Sequence, residues 1–374
     1  MALTSKIDYQ NFLDKYWQLD AFLFKQAFNG LDNIVDGNEL ASLACEEQVE
    51  SRILSGHGLT DDWQCQHGPF SEKKFKTLGD CNWTLLIQGL DQWNARAAKL
   101  LDEFTFLPKW RLEDIMASYA PIGGGVGPHF DYYDVFLIQV SGTREWQLGQ
   151  NCDNTSRLQN NDEVKLLAEF NTQKTYQVTA GGMLYIPAGM AHWGTAITND
   201  CITLSIGFRA PSKNEVLIEA LQLLIEDLSK QDYSERYRDE INAIDDNIYK
   251  INSTALKSFS DLPINLDPII VERAFGQLVT EQRHYDANEE YVEVWRIENL
   301  TSHLANNPNQ KLILNRSSRF AFTENYLFVD GEQFITTENF SAMICNGVIN
   351  RSLDKKELTL LLQLINQDAI QIEI

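Results

Sequence analysis

His129 and Asp131 stand two residues apart in PIGGGVGPHFDYYDVF. At the start of a predicted strand that spacing sends both side chains to one face, where they can serve as adjacent metal ligands. The triplet alone is a weak signal. With six histidines and roughly one residue in seven acidic, a His-x-acid triplet arises about once by accident. The chain holds such a decoy in His284 and Asp286, set in the polar run TEQRHYDANEEY with no glycine turn before it and no apolar strand after it. That pair reads as solvated surface. A second element, GGMLYIPAGMAHWG, is far more specific: Gly181, Pro187, Gly189 and His192 follow as glycine, five residues, proline, one residue, glycine, two residues, histidine.

These residues resemble the cupin superfamily, whose first motif places a glycine six positions before its first metal histidine, as Gly123 stands to His129. The simplest cupins have histidine rather than Asp131 at the second ligand position, an acid a few residues later, and asparagine where Ala196 stands. The departures point away from a four-ligand cupin and towards the Jumonji C branch. Two imidazoles and one carboxylate on one face of a metal leave three positions open, the arrangement of non-haem iron(II) oxygenases. A 2-oxo acid can occupy two of the three and dioxygen the other.

The second carboxylate of such a co-substrate is costly to bury without a matched cation. Arg144, in VSGTREWQLG, is the candidate: the turn at Ser141 and Gly142 can send a neighbouring strand back along the barrel, and a guanidinium fork suits a carboxylate. The alternative is an ordinary surface strand arginine. Ser118, in the strand before the glycine loop, can add a hydroxyl to the same carboxylate, against the alternative of a satisfied strand serine. The run GGGVG is not a phosphate loop, because no lysine and serine or threonine follow it and a strand comes next. Its glycines let the backbone turn tightly at the barrel mouth. His57, His67 and His303 take surface or core roles by default.

The elements that must position these side chains change in texture along the chain. At about 150 residues per domain, 374 residues predict two or three domains. Up to about residue 110 the pattern is mixed, with helical stretches NFLDKYWQLD and ELASLACEEQVESRI around the turn-rich SGHGLTDDWQCQHGPFSE. From about 114 to 210, short β-rich runs follow at close spacing, the pattern of a sandwich or barrel. After Pro211, Ser212 and Glu215 have the spacing of a capping box, and VLIEALQLLIEDLSK continues with a wide apolar stripe. Residues 211–285 read as a helical connector that either docks on its own barrel or forms a dimer interface. From about 290, a helical stretch, the strand KLILN, a hairpin turning at Asp330-Gly331 and a final amphipathic helix resemble a winged helix. Between Tyr291 and Ile374, seven basic residues against ten acidic ones give a net of -3, so protein binding or a structural role fits better than DNA binding.

Composition narrows the setting. Hydrophobic residues at 44% and charged ones at 22% are those of a globular chain. The N-terminal stretch lacks the uninterrupted apolar run of a secretory signal, and no run of about 18 apolar residues occurs elsewhere. Six scattered cysteines without CxxC spacing indicate neither a disulfide framework nor a zinc knuckle, so a reducing cytoplasm is expected. A net charge of -22 repels nucleic acid and anionic membranes and favours a basic protein partner, although it also serves plain solubility.

Taken together, the glycine loop, PHFDYYDVFLIQVSGTREW, YIPAGMAHWG and SIGFRAP resemble the bacterial ribosomal oxygenases of the Jumonji C family. The resemblance implies a mainly β core with α additions. Residues 1–210 would form the catalytic domain, a double-stranded β-helix with N-terminal support, 211–285 a helical homodimerisation region, and 286–374 a winged-helix-like domain. It implies that His129, Asp131 and His192 bind iron(II), that Ser118 and Arg144 bind 2-oxoglutarate, and that dioxygen is the second co-substrate. The substrate would be an arginine of a large-subunit ribosomal protein, number sixteen. Related members hydroxylate histidine, and a non-enzymatic cupin-like regulator using its winged helix on DNA is the alternative from another class. Asp134 is a further candidate for contact with an incoming guanidinium.

Overall fold

A computed structural model of the chain describes residues 9–31, 34–60, 62–161, 164–230, 266–282 and 294–373. The decoy pair His284 and Asp286, and residues 231–265 of the expected connector, lie outside the described residues.

Two antiparallel sheets build the N-terminal half. Its strands are β1 (Phe22–Phe24), β2 (Ser51–Ser55), β3 (Gln64–His67), β4 (Trp83–Ile87), β5 (Leu112–Ala120), β6 (Asp134–Ser141), β7 (Thr143–Asn151), β8 (Lys174–Thr179), β9 (Met183–Ile186), β10 (Met190–Ala196) and β11 (Cys201–Phe208). One sheet runs β1-β9-β6-β11-β5-β4-β2-β3 and the other β10-β7-β8. The near-continuous apolar run of β6 follows from burial on both faces. Val135 and Leu137 meet Trp146, Leu148 and Val178 of the small sheet. Phe136, Ile138 and Val140 point the other way, into an N-terminal layer that includes Phe12, Phe28 and Leu40. Gly142, at φ 66°, carries the chain from β6 in one sheet to β7 in the other, so this turn changes sheets instead of making a hairpin.

The N-terminal segment is more deeply woven into the sheet than its texture predicts. ELASLACEEQVESRI does not form one helix. A helix over Gly37–Leu43, capped by the Asp36 carboxylate, stops there, and Ser51–Ser55 becomes β2, with Ile53 opposite Leu85 of β4. Helix propensity yields because Ile53 is 2% exposed only when paired in the sheet. The large sheet therefore recruits β2 to β4 from well before residue 114.

After the barrel, Ser212 and Glu215 close a reciprocal capping box on the helix Lys213–Ser229. This helix packs against Pro268–Thr280 through Ala220, Leu223 and Ala274, and Arg273 reaches Asp227 at 3.1 Å. From residue 294 a separate core gathers around Leu300, Leu327, Phe340 and Leu361. There, β12 (Gln310–Leu314) pairs with β16 (Val348–Ile349) and with β17 (Ile370–Ile372), while β13 (Phe320–Phe322), β14 (Tyr326–Val329) and β15 (Glu332–Ile335) form a meander. The turn between β14 and β15 holds Asp330 at φ 51° and Gly331 at φ 81°, the left-handed pair that a tight hairpin needs. Arg319 ties this segment to the root of β5 by donating to the carbonyls of Leu112 at 2.9 Å and Glu113 at 3.4 Å.

Candidate active site

The two histidines are brought together by backbone pairing. His129 lies ahead of β6 in an isolated bridge with His192 of β10, and Asp131 follows in irregular backbone before a bend, so neither residue is in the strand that the spacing predicts. The His129 N–H donates to the His192 carbonyl at 3.0 Å and the His192 N–H to the His129 carbonyl at 2.8 Å. This reciprocal pair fixes the separation of the two imidazoles. Gly125 allows the approach, since a Cβ there would lie 2.3 Å from the Gly194 carbonyl oxygen.

Each ring is then aimed. The Nδ1 of His129 is 2.9 Å from the Gly127 carbonyl and that of His192 is 3.0 Å from the Met190 carbonyl. A carbonyl can only accept, so Nδ1 carries the proton and Nε2 keeps its lone pair for a metal. Asp131 Oδ2 lies 3.9 Å from His129 Nε2 and 3.6 Å from His192 Nε2, and the three ligand atoms all fall within 4.8 Å of one another. Burial, and next the neighbouring His129, push the His192 imidazole down to about 4, which keeps it neutral and able to ligate. Tyr133 hydrogen-bonds Asp131, and burial followed by the Asp131 charge raises its phenol well above the ordinary range, so it remains a donor to that carboxylate. Two neutral nitrogens and one carboxylate oxygen converging from one side suit a first-row divalent ion such as iron(II).

The triad opens into a cavity of about 560 Å³ whose walls include Ser118, Arg144, Trp146 and Thr203. Arg144 is only 1% exposed, and its Nε and Nη2 find no hydrogen-bond partner among the described residues. A buried guanidinium with unmet donors is costly, so its fit is to an anion entering the cavity. Along β7, Arg144 stands opposite Ala196 while Leu148 stands opposite His192, a separation of roughly 13 Å of strand. A small dicarboxylate held at the metal end can reach that guanidinium. Ser118 also lines the cavity, with its Oγ at a long 3.3 Å from the Thr203 carbonyl, so the hydroxyl is only loosely engaged.

All five expected site residues therefore line one cavity. Asp134 does not. It is 1% exposed on the other face of β6, where it accepts from Tyr185 at 2.6 Å and Arg111 at 3.0 Å, and this buried pairing withdraws it from any incoming guanidinium. Alternation along the strand, which turns Asp134 from the metal side, is the reason. Two other acids, Glu113 and Asp114 at the start of β5, line the cavity, and Asp114 Oδ2 accepts from Gln88 Nε2 at 2.7 Å and from the Gly89 N–H at 2.9 Å. No spacing motif marks them. Trp146 and Thr203 were also passed over, although Trp146 follows Arg144 by the two-residue period that turns both inward.

The geometry agrees with similarity to known proteins. Residues 99–216 match the JmjC domain family. The chain is 37% identical over 217 residues to the "Ribosomal protein uL16 3-hydroxylase" of Escherichia coli (strain K12), covering 56% of this chain and 55% of that protein. It is 38% identical over 220 residues to a "Probable ribosomal oxygenase" of Haemophilus influenzae, covering 58% and 53%. The alignments thus span about half the length of these curated relatives. The solved structure of Escherichia coli YcfD superposes with a TM-score of 0.83 at 26% identity, covering 100% of both chains. YcfD in complex with cobalt and 2-oxoglutarate superposes at 0.79 and 26% identity over 99% of each. Residues 99–216 match the JmjC domain, and the chain resembles the bacterial ribosomal oxygenases in sequence over about half its length and in fold along its length.

Proposed function

We propose that this chain is an iron(II)- and 2-oxoglutarate-dependent oxygenase of the cytoplasm that hydroxylates an arginine side chain of a large-subunit ribosomal protein. The observation that carries this reading is Arg144, a buried cation with unmet donors, sharing one cavity with the convergent atoms of His129, Asp131 and His192. Iron(II) held by the triad would supply oxygen activation, with 2-oxoglutarate as the co-substrate that is oxidised to succinate and carbon dioxide. Arg144 binds and orients the remote carboxylate, and Ser118 offers it a hydroxyl. The Nδ1–H bonds of the two histidines hold the rings in the ligating tautomer, and Tyr133 steadies the Asp131 carboxylate. Val135, Leu137, Met116 and Leu166 make the walls apolar, which limits water around the reacting groups.

For the substrate, Glu113 and Asp114 put acids in the cavity wall, the latter held by Gln88 and Gly89, which suits a guanidinium, and the net charge of -22 favours a basic protein. The ribosomal hydroxylase and the 2-oxoglutarate complex among the relatives support the same class. We read residues 211–285 as a homodimerisation region, supported by Leu217, Ile218, Ile225 and Leu228 standing exposed on the helix Lys213–Ser229. Residues 286–374 we read as a winged-helix-like module that serves protein contacts.

Succinate release tests the reaction class. Iron-loaded enzyme should form succinate faster when a basic large-subunit ribosomal protein is added. Modification confined to a histidine would overturn the arginine assignment. No 2-oxoglutarate turnover with any ribosomal protein, together with salt-sensitive DNA binding, would favour a regulator instead.

A further inference from the structure

We propose that the indole N–H of Trp146 is a second donor to the carboxylate that Arg144 holds, so that the co-substrate is gripped by a guanidinium and an indole from one strand. This rests on reading the cavity as a 2-oxoglutarate site. Trp146 lines that cavity at 4% exposure, and its Nε1 is buried without a hydrogen-bond partner among the described residues. A buried indole N–H ordinarily meets an acceptor, because leaving the donor unmet forfeits the hydrogen bond it had with water.

Two polar groups flank the ring and neither can take its proton. The Arg144 Cζ is 5.7 Å from the ring centroid, and a guanidinium has donors only. The His192 ring, with centroids 5.9 Å apart, spends Nδ1–H on Met190 and turns Nε2 to the metal position. Trp146 Nε1 thus joins Arg144 Nε and Nη2 in a group of three buried donors on the inward face of β7, none with a partner among the described residues. Their shared complement is an anionic oxygen acceptor. The partner strand makes room for the indole: Gly194 pairs with Trp146, and a Cβ at that position would lie 2.5 Å from the ring. The tryptophan therefore stands between the metal end and the carboxylate end of the cavity, alongside a bound diacid.

Trp146→Phe keeps an aromatic ring, removes the donor and leaves the smaller ring in a buried site, where a cavity costs stability whether or not the donor binds ligand. With Mn(II)-loaded protein titrated calorimetrically with 2-oxoglutarate, the variant should bind at least about tenfold more weakly, as for loss of one hydrogen bond to a charged group. Its Mn(II) affinity should not change, so that the loss is confined to 2-oxoglutarate. Equal 2-oxoglutarate affinity in variant and wild type, or a lowered melting temperature with affinity intact, overturns the assignment and makes Trp146 a packing residue. Wild-type protein decides the matter even if the variant misfolds. In Zn(II)-loaded enzyme, the Trp146 indole proton resonance should move downfield and exchange more slowly when 2-oxoglutarate is added, and an unmoved resonance overturns the assignment. Wild type that binds no 2-oxoglutarate sinks the functional reading along with this one, whereas unimpaired binding by Trp146→Phe sinks this one alone.

Discussion

Arg144 is a full charge on a side chain that is 1% exposed, with two of its nitrogens unpartnered by the fold. Such a group destabilises the ligand-free protein and repays that only when an anion arrives. Arg144→Met should therefore raise unfolding stability by about 1–3 kcal/mol in urea titrations of ligand-free protein while abolishing 2-oxoglutarate binding. A variant less stable than wild type would mean the guanidinium already has its partners. His129→Ala probes the other end of the cavity. Because His129 is held by backbone bonds to His192 that do not need its ring, the substitution should leave the melting temperature nearly unchanged. Metal affinity, measured by competition with a chelator, should drop by more than about a hundredfold, since even the partners behind a ligand are worth 10- to 100-fold.

At the scale of strands, β6 is the element on which the site depends. Its first residue, Asp134, anchors the strand to the N-terminal layer through Tyr185, Gln18 and Arg111, and Arg111 in turn lies over the Trp17 ring at 5.0 Å. Arg111→Met would leave the Asp134 carboxylate buried beside a phenol without its cation, and should cost about 3 kcal/mol in denaturant unfolding; a loss below measurement error would show the pair to be dispensable. The candidate metal triad was legible in sequence because its two motifs are local, each a glycine turn beside an apolar strand, and the short β-rich runs after residue 114 marked β5 to β9 and β11, while β10 carried no such run. Other features were not legible. Residues 51–53 read as the end of a helix because their sheet partners in β3 and β4 lie further along the chain, and that pairing buries Ile53. Glu113 and Asp114 escaped notice because nothing in their spacing distinguishes them from other acids in a chain with 53.

For the whole molecule, the charge of -22 governs encounter. If a basic protein is the substrate, raising ionic strength from about 0.05 to 0.5 M should raise KM severalfold and leave kcat nearly constant, since screening acts on association. A KM indifferent to salt would assign the acidic surface to solubility alone. The exposed apolar residues of Lys213–Ser229 bear on assembly: the intact chain should sediment as a dimer and a chain ending at Ala210 as a monomer, while a monomeric intact chain would leave that face to another role. The most direct measurement is tandem mass spectrometry of a large-subunit ribosomal protein after incubation with enzyme, iron(II), 2-oxoglutarate and oxygen. One arginine should gain the mass of one oxygen atom, and His129→Ala should leave it unmodified. Folded, metal-loaded enzyme that leaves every arginine unchanged, or a gain that persists in His129→Ala, would contradict the assignment.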